Sequence, residues 1–67
     1  MHISYEKLWH ILLSRHMTRE TLRKECKISS NTIAKLGKGQ NVTTDVILRI
    51  CAYLDCNLED IMEIVKD

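Results

Sequence analysis

Residues Met17 to Gly39 read MTRETLRKECKISSNTIAKLGKG. Two short helical patterns lie in this stretch. Met17-Thr18 followed by Leu22, and Ile28-Ser29 followed by Ile33, each place an apolar residue before a Thr or Ser N-cap and another apolar residue four positions after it. This is the arrangement of a hydrophobic staple around an N-cap. Only Lys27 and Ile28 remain to turn the chain between the two patterns, so the spacing predicts a tight αα corner of the helix-turn-helix kind. Leu22, Cys26, Ile28, Ile33 and Leu36 can close one small shared core, which leaves the opposite face of the second helix to solvent. On that face Asn31, Lys35 and Lys38 align at i, i+4 and i+7, with Ser30 and Ala34 beside them.

Working outward, the same start signal recurs at Ile3-Ser4 with Leu8, Val42-Thr43 with Ile47, and Cys56-Asn57 with Ile61. The last also has Asp60 three residues after Asn57, a short-armed relative of the capping box. Five helices are therefore expected, near residues 5–16, 18–26, 29–37, 43–54 and 57–66. In the first, Tyr5, Leu8, Trp9, Leu12 and Leu13 fall on one arc and Trp9 is expected in the core. The fourth contributes Ile47, Ile50, Cys51 and Leu54 to the core, and the fifth Leu58, Ile61, Met62 and Val65. Ile64 falls outside that last stripe, which makes it a candidate for a partner surface. The sequence has 45% hydrophobic residues and neither Phe nor Pro, a composition suited to short helices on an aliphatic core. The expectation is an all-α, compact five-helix domain spanning residues 1–67.

Charge divides along the chain. From Arg15 to Gln40, seven basic residues face Glu20 and Glu25, a net of +5. From Asn41 to Asp67, Arg49 and Lys66 face six acidic residues, a net of −4. Charge alone leaves two readings open: ordinary solvated faces, or a basic footprint for a polyanion. The recognition face adds chemistry to the second. A helix that reads base edges must enter a groove about 12 Å wide, which bulky apolar side chains would obstruct and Ser, Asn, Ala and Lys would not. Asn31 can pair bidentately with adenine N6 and N7, Lys35 can donate to guanine O6 and N7, and Ser30 can serve a base or a phosphate. Thr18 and Arg19 at the start of the second helix, and Ser29 and Thr32 at the start of the third, would approach phosphates. Lys38, Gln40 and Asn41 would follow the backbone just beyond.

The stretch Met17 to Gly39 resembles the helix-turn-helix of the phage repressor and Cro family, also called the XRE family. Val42 to Met62, VTTDVILRICAYLDCNLEDIM, is similar to that family's fourth helix, turn and fifth helix. The resemblance implies a lambda-repressor-like fold that binds operator DNA, usually as a dimer, with the third helix in the major groove. Carried over by position, Ser30, Asn31 and Lys35 match base-reading places; Arg19, Ser29, Thr32 and Lys38 match places that touch phosphate. Three positions depart from the family's pattern. Arg23 stands where a small Ala is usual, and is expected to lay its stem along the seam with its charge outward, within reach of phosphate. Lys27 stands where Gly is usual, and a non-glycine in the left-handed region costs about 1 kcal/mol. Leu12 and Gly37 replace an Arg and a Glu that many members pair, so both charges are missing together.

These observations favour a sequence-specific transcriptional regulator acting on double-stranded DNA, as a homodimer joined through the fifth helix with Ile64 and Val65 at the interface. A regulatory protein partner is compatible with it. The alternative is a protein-interaction module, such as an antitoxin or anti-repressor subunit, whose acidic end engages a basic partner. An enzyme is disfavoured: His2, His10 and His16 have no Cys, Ser or carboxylate at a spacing that fixes a catalytic pair. Cys26, Cys51 and Cys56 lack C-x-x-C spacing, so free thiols are expected and no metal or cofactor is implied. No apolar run, Ile11 to Leu13 included, approaches the roughly 20 residues that span a bilayer, and no signal peptide is evident. A cytoplasmic location is expected.

Overall fold

The computed structural model describes residues 1–67. In chain order it comprises strand β1 (His2–Ser4), helices α1 (Glu6–Ser14), α2 (Arg19–Cys26), α3 (Ser30–Gly37) and α4 (Thr44–Leu54), a single 3-10 turn (Leu58–Asp60) and strand β2 (Glu63–Val65). Three of the expected N-caps are in place. Thr18, Ser29 and Thr43 have extended backbones, and their hydroxyls accept hydrogen bonds from the amides of Thr21, Thr32 and Val46. Each satisfies one of the orphan donors at a helix start.

The helix ends share a geometry as well. His16, Lys27, Gly39 and Asp55 have positive φ, at 57°, 55°, 69° and 53°. The next amide along the chain from each folds back five residues: Met17 to Leu12 O at 2.8 Å, Ile28 to Arg23 O at 3.1 Å, Gln40 to Lys35 O at 2.9 Å and Cys56 to Cys51 O at 3.1 Å. These are Schellman-type stops, which favour glycine at the left-handed position. Only Gly39 supplies one, and a Cβ there would lie 3.4 Å from the Ile3 carbonyl oxygen. Lys27 does adopt the left-handed conformation that its departure from the family pattern implies. Arg49 Nη1 donates to the Lys27 carbonyl at 3.1 Å, and Arg15 Nη2 donates to the Leu54 carbonyl at 2.9 Å, so two guanidiniums close two helix ends.

The core contains Tyr5, Leu8, Leu12, Leu22, Cys26, Ile28, Leu36, Ile47, Ile50, Leu54 and Ile61, with Ile33, Val42, Val46 and Cys51 packed against it. Helix α2 packs on both α3 and α4. Leu12 is buried, so an aliphatic side chain fills the place of the family's arginine. Leu13 departs from expectation and is 76% exposed. It lies five residues beyond Leu8, about 140° around an α-helix at 3.6 residues per turn, and so leaves the arc that α1 turns inward. Trp9 is half-buried at the edge of the core rather than within it. All three cysteines are free thiols; Cys26 is buried, Cys51 and Cys56 half-buried. Burial pushes the Cys26 and Cys56 thiols up from their ordinary values.

The fifth helix does not form. The fold has four α-helices and a small two-stranded sheet in place of the expected five-helix, all-α domain. Asp60 Oδ2 accepts from the Asn57 amide at 2.9 Å, as the capping signal suggests, but the helix it starts is one 3-10 turn. Ile61 is fully buried and ends that turn, and Met62 packs half-buried against the core, while Leu58 is 53% exposed, so the apolar stripe read at helical period is used only in part. Beyond it the chain extends and pairs antiparallel with β1 in the register His2 with Val65, Ile3 with Ile64 and Ser4 with Glu63. The β-branched pair Ile64-Val65 suits a strand, and the other end of the chain supplies its partner. For the same reason Ser4 is a strand residue; α1 starts after Tyr5 without a side-chain cap.

Candidate nucleic-acid interface

The α2–α3 corner is fixed from inside. Leu22, Cys26, Ile28 and Leu36 are buried and Ile33 is half-buried, which turns one side of α3 inward and leaves the other free. Ser30, Asn31, Ala34, Lys35 and Lys38 are all exposed on that free side. The side chains of Ser30, Asn31, Lys35 and Lys38 take part in none of the hydrogen bonds or ion pairs of the chain, whereas neighbouring Ser29, Thr32, Glu20 and Arg23 do. A row of unengaged donors and acceptors on a rigid helix is what a groove reader needs, because no internal bond has to break before an external one forms.

The flanking residues divide into two groups. Gln40 and Asn41 are exposed just beyond α3. Thr18, Ser29 and Thr32 are already engaged. Thr18 Oγ1 and Ser29 Oγ cap their helices, and they lie 3.0 Å from Thr21 Oγ1 and 2.9 Å from Thr32 Oγ1 respectively. Each hydroxyl keeps acceptor and donor capacity beyond its cap bond, and both sit at positive helix ends. Arg23 is half-buried, and Glu20 takes its charge: Arg23 Nε donates to Glu20 Oε1 at 3.1 Å. The Arg23 hydrogen bond holds the Glu20 carboxyl below its ordinary value and raises Arg23. Arg19 carries no carboxylate partner; its guanidinium carbon stacks 4.0 Å from the centroid of the Trp9 ring.

A cleft opens between α3 and the start of α4, lined by Thr32, Lys35, Asn41, Val42, Thr43 and Val46. Thr43 thus stands beside Lys35 and Asn41. The sequence locates Thr43 as a helix start but holds no signal for what that start faces, since the approach of α4 to α3 depends on packing between helices. Likewise the contact of Trp9 with Arg19 joins two helices and leaves no mark in the periodicity of either. Ile64 and Val65 lie on β2, not on a helix; Ile64 is 65% exposed and Val65 is half-buried opposite His2.

A capped helix pair set at a tight corner, with an unengaged polar face on its second member and four α-helices in this order, defines a helix-turn-helix domain. The Cro/C1-type helix-turn-helix DNA-binding domain family matches residues 7–67, and the chain belongs to that family. Among solved structures it is similar to the transcriptional regulator VanUg, with 44% sequence identity and a TM-score of 0.94 over 98% of this chain and 88% of that one. No curated protein sequence matches the chain. No helix of the structure is long and apolar enough to cross a membrane.

Proposed function

We propose that this protein is a sequence-specific DNA-binding transcriptional regulator that inserts α3 into the major groove of an operator. The observation that carries this reading is the unengaged face of Ser30, Asn31 and Lys35 on a corner locked by Leu22, Ile28 and Leu36. Asn31 reads adenine, Lys35 reads guanine, and Ser30 contacts a base or the adjoining phosphate. Thr18, Arg19, Ser29, Thr32, Lys38, Gln40 and Asn41 hold the duplex backbone, with Arg23 contributing once Glu20 releases it. Membership in a DNA-binding family and the name of the VanUg neighbour support the role in transcription. The chain acts as one binding domain, not as an enzyme, and works in the cytoplasm without a cofactor.

One α3 offers few base contacts, so the full operator is read by a homodimer, with half-sites about one DNA turn apart. The end that carries Ile64 and Val65 joins the two copies. Sedimentation on operator-length duplex is expected to show two chains per duplex at saturation; a single chain contradicts the dimer. Duplex affinity measured across salt tests the reading itself. Log K should fall linearly with log salt, with a slope near −0.9 for each phosphate neutralised. A salt-independent affinity contradicts it and favours a module whose partner is a protein.

A further inference from the structure

The four arginines are placed differently. Arg15 and Arg49 donate to the carbonyls of Leu54 and Lys27, and Arg23 is paired with Glu20. Arg19 alone has a fixed position without a hydrogen-bonding or charged partner. Its guanidinium carbon lies 4.0 Å from the Trp9 ring centroid, well inside the roughly 6 Å over which a cation is attracted to an aromatic face. Its Nη1 occupies the space where a side chain at position 37 would begin, since a Cβ built on Gly37 would meet that nitrogen at 3.0 Å. Three helices therefore converge on one guanidinium: a ring from α1, the arginine stem from the first residue of α2, and bare backbone at the end of α3.

A cation held by a flat ring keeps its N–H groups and its charge available, whereas one held by a carboxylate does not. It also has less rotamer freedom left to lose when an anion binds. We propose that Trp9 and Gly37 form a seat that presets Arg19 for a phosphate at the edge of the groove. Trp9 is a positioning residue, and Gly37 keeps the seat open because it has no side chain. The inference rests on the DNA-binding reading given above and adds to it a residue of α1 that touches no nucleic acid.

Gly37 gives the seat a distinctive signature. It is the last residue of α3, where alanine is a better helix former than glycine. Gly37→Ala should therefore raise the melting temperature, while the added methyl pushes Nη1 aside and weakens binding. A residue with a merely structural role would move both quantities in the same direction.

The test uses the full chain and a duplex that it selects from a random pool, with affinity measured across salt and thermal melting recorded for every variant. Arg19→Ala should weaken binding about tenfold and reduce the salt slope by about 0.9. Trp9→Ala should weaken it about threefold with the slope retained, Trp9→Phe should restore most of the loss, and Trp9→Ala should cost nothing further in an Arg19→Ala background. Gly37→Ala should bind about threefold more weakly while melting higher. It reports on the seat even if Trp9→Ala fails to fold. Parental affinity in Gly37→Ala, or equal losses from Trp9→Ala with and without Arg19, overturns the seat and leaves the DNA-binding reading standing. Failure of the unmutated chain to select any duplex overturns both.

Discussion

At the α2–α3 corner the helix caps and the turn are set within a few residues; at the β1–β2 ribbon, residues 2–4 wait for residues 63–65 from the other end of the chain. Thr18 and Ser29 each cap the helix that comes directly after, and Lys27 turns the chain by folding the Ile28 amide back onto Arg23. The ribbon has no such internal determinant, and each strand is three residues long. Their surfaces differ in the same sense. The corner buries its apolar side chains and presents hydrogen-bonding groups, whereas the ribbon leaves Ile64 65% exposed. A surface with free polar groups on a fixed frame suits the reading of a polar pattern; an exposed aliphatic on a short strand suits contact between chains. On the proposed function, the corner would serve specificity and the ribbon assembly.

Substitutions can break or sharpen that contrast. The largest effect is expected from Leu22→Ala, because Leu22 is fully buried on α2, the helix that packs on both α3 and α4. Removing its branched end from a filled core should destabilise the fold by about 3 kcal/mol, with a range of roughly 2 to 5. Native stability for a chain this size is only about 3–10 kcal/mol, so much of the transition should shift in a urea titration. A loss below about 1 kcal/mol would mean that the corner is not held by its shared core.

Lys27→Gly should act in the opposite direction, stabilising the corner by about 1 kcal/mol, since φ is 55° there and glycine adopts this region without the Cβ penalty. The Arg49 bond to the Lys27 carbonyl is made to backbone and survives the change. Chemical denaturation should show a higher midpoint with an unchanged slope. A lower midpoint would show that the lysine side chain contributes more than its backbone costs. The smallest effect belongs to the ribbon: Ile64→Ala removes mainly a cross-strand contact with Ile3, and should cost about 0.2–1 kcal/mol in the monomer. If Ile64 also joins two chains, the same variant should lower dimer affinity on duplex well beyond that amount, which sedimentation can measure.

The contrast also explains which parts of the molecule are legible in the sequence. Helices α1 to α4 lie within two residues of their expected bounds because N-caps and apolar spacing are local signals. The Asn57–Asp60 signal is real and misleading. It closes a turn in either a 3-10 or an α-helix, and tertiary pairing with Ile3 then extends the chain beyond Ile61 into a strand. Leu13 is expected inward because a wide arc and a narrow one look alike until the packing partner is known. On the candidate interface, the exposed face of α3 is the consequence of its apolar opposite face. The engagement of Arg23 by Glu20 at i, i+3 is open to a local reading, whereas the stacking of Arg19 on Trp9 needs the angle between α1 and α2.

The most direct measurement concerns Asn31. Base preference at every position of the selected duplex should be compared for the parent and Asn31→Ala. The parent is expected to favour adenine at one position by about 1–3 kcal/mol, and the variant to lose that preference there while keeping it elsewhere and melting normally. An unchanged preference at all positions, in a variant that still folds and binds, would contradict the placement of α3 in the major groove.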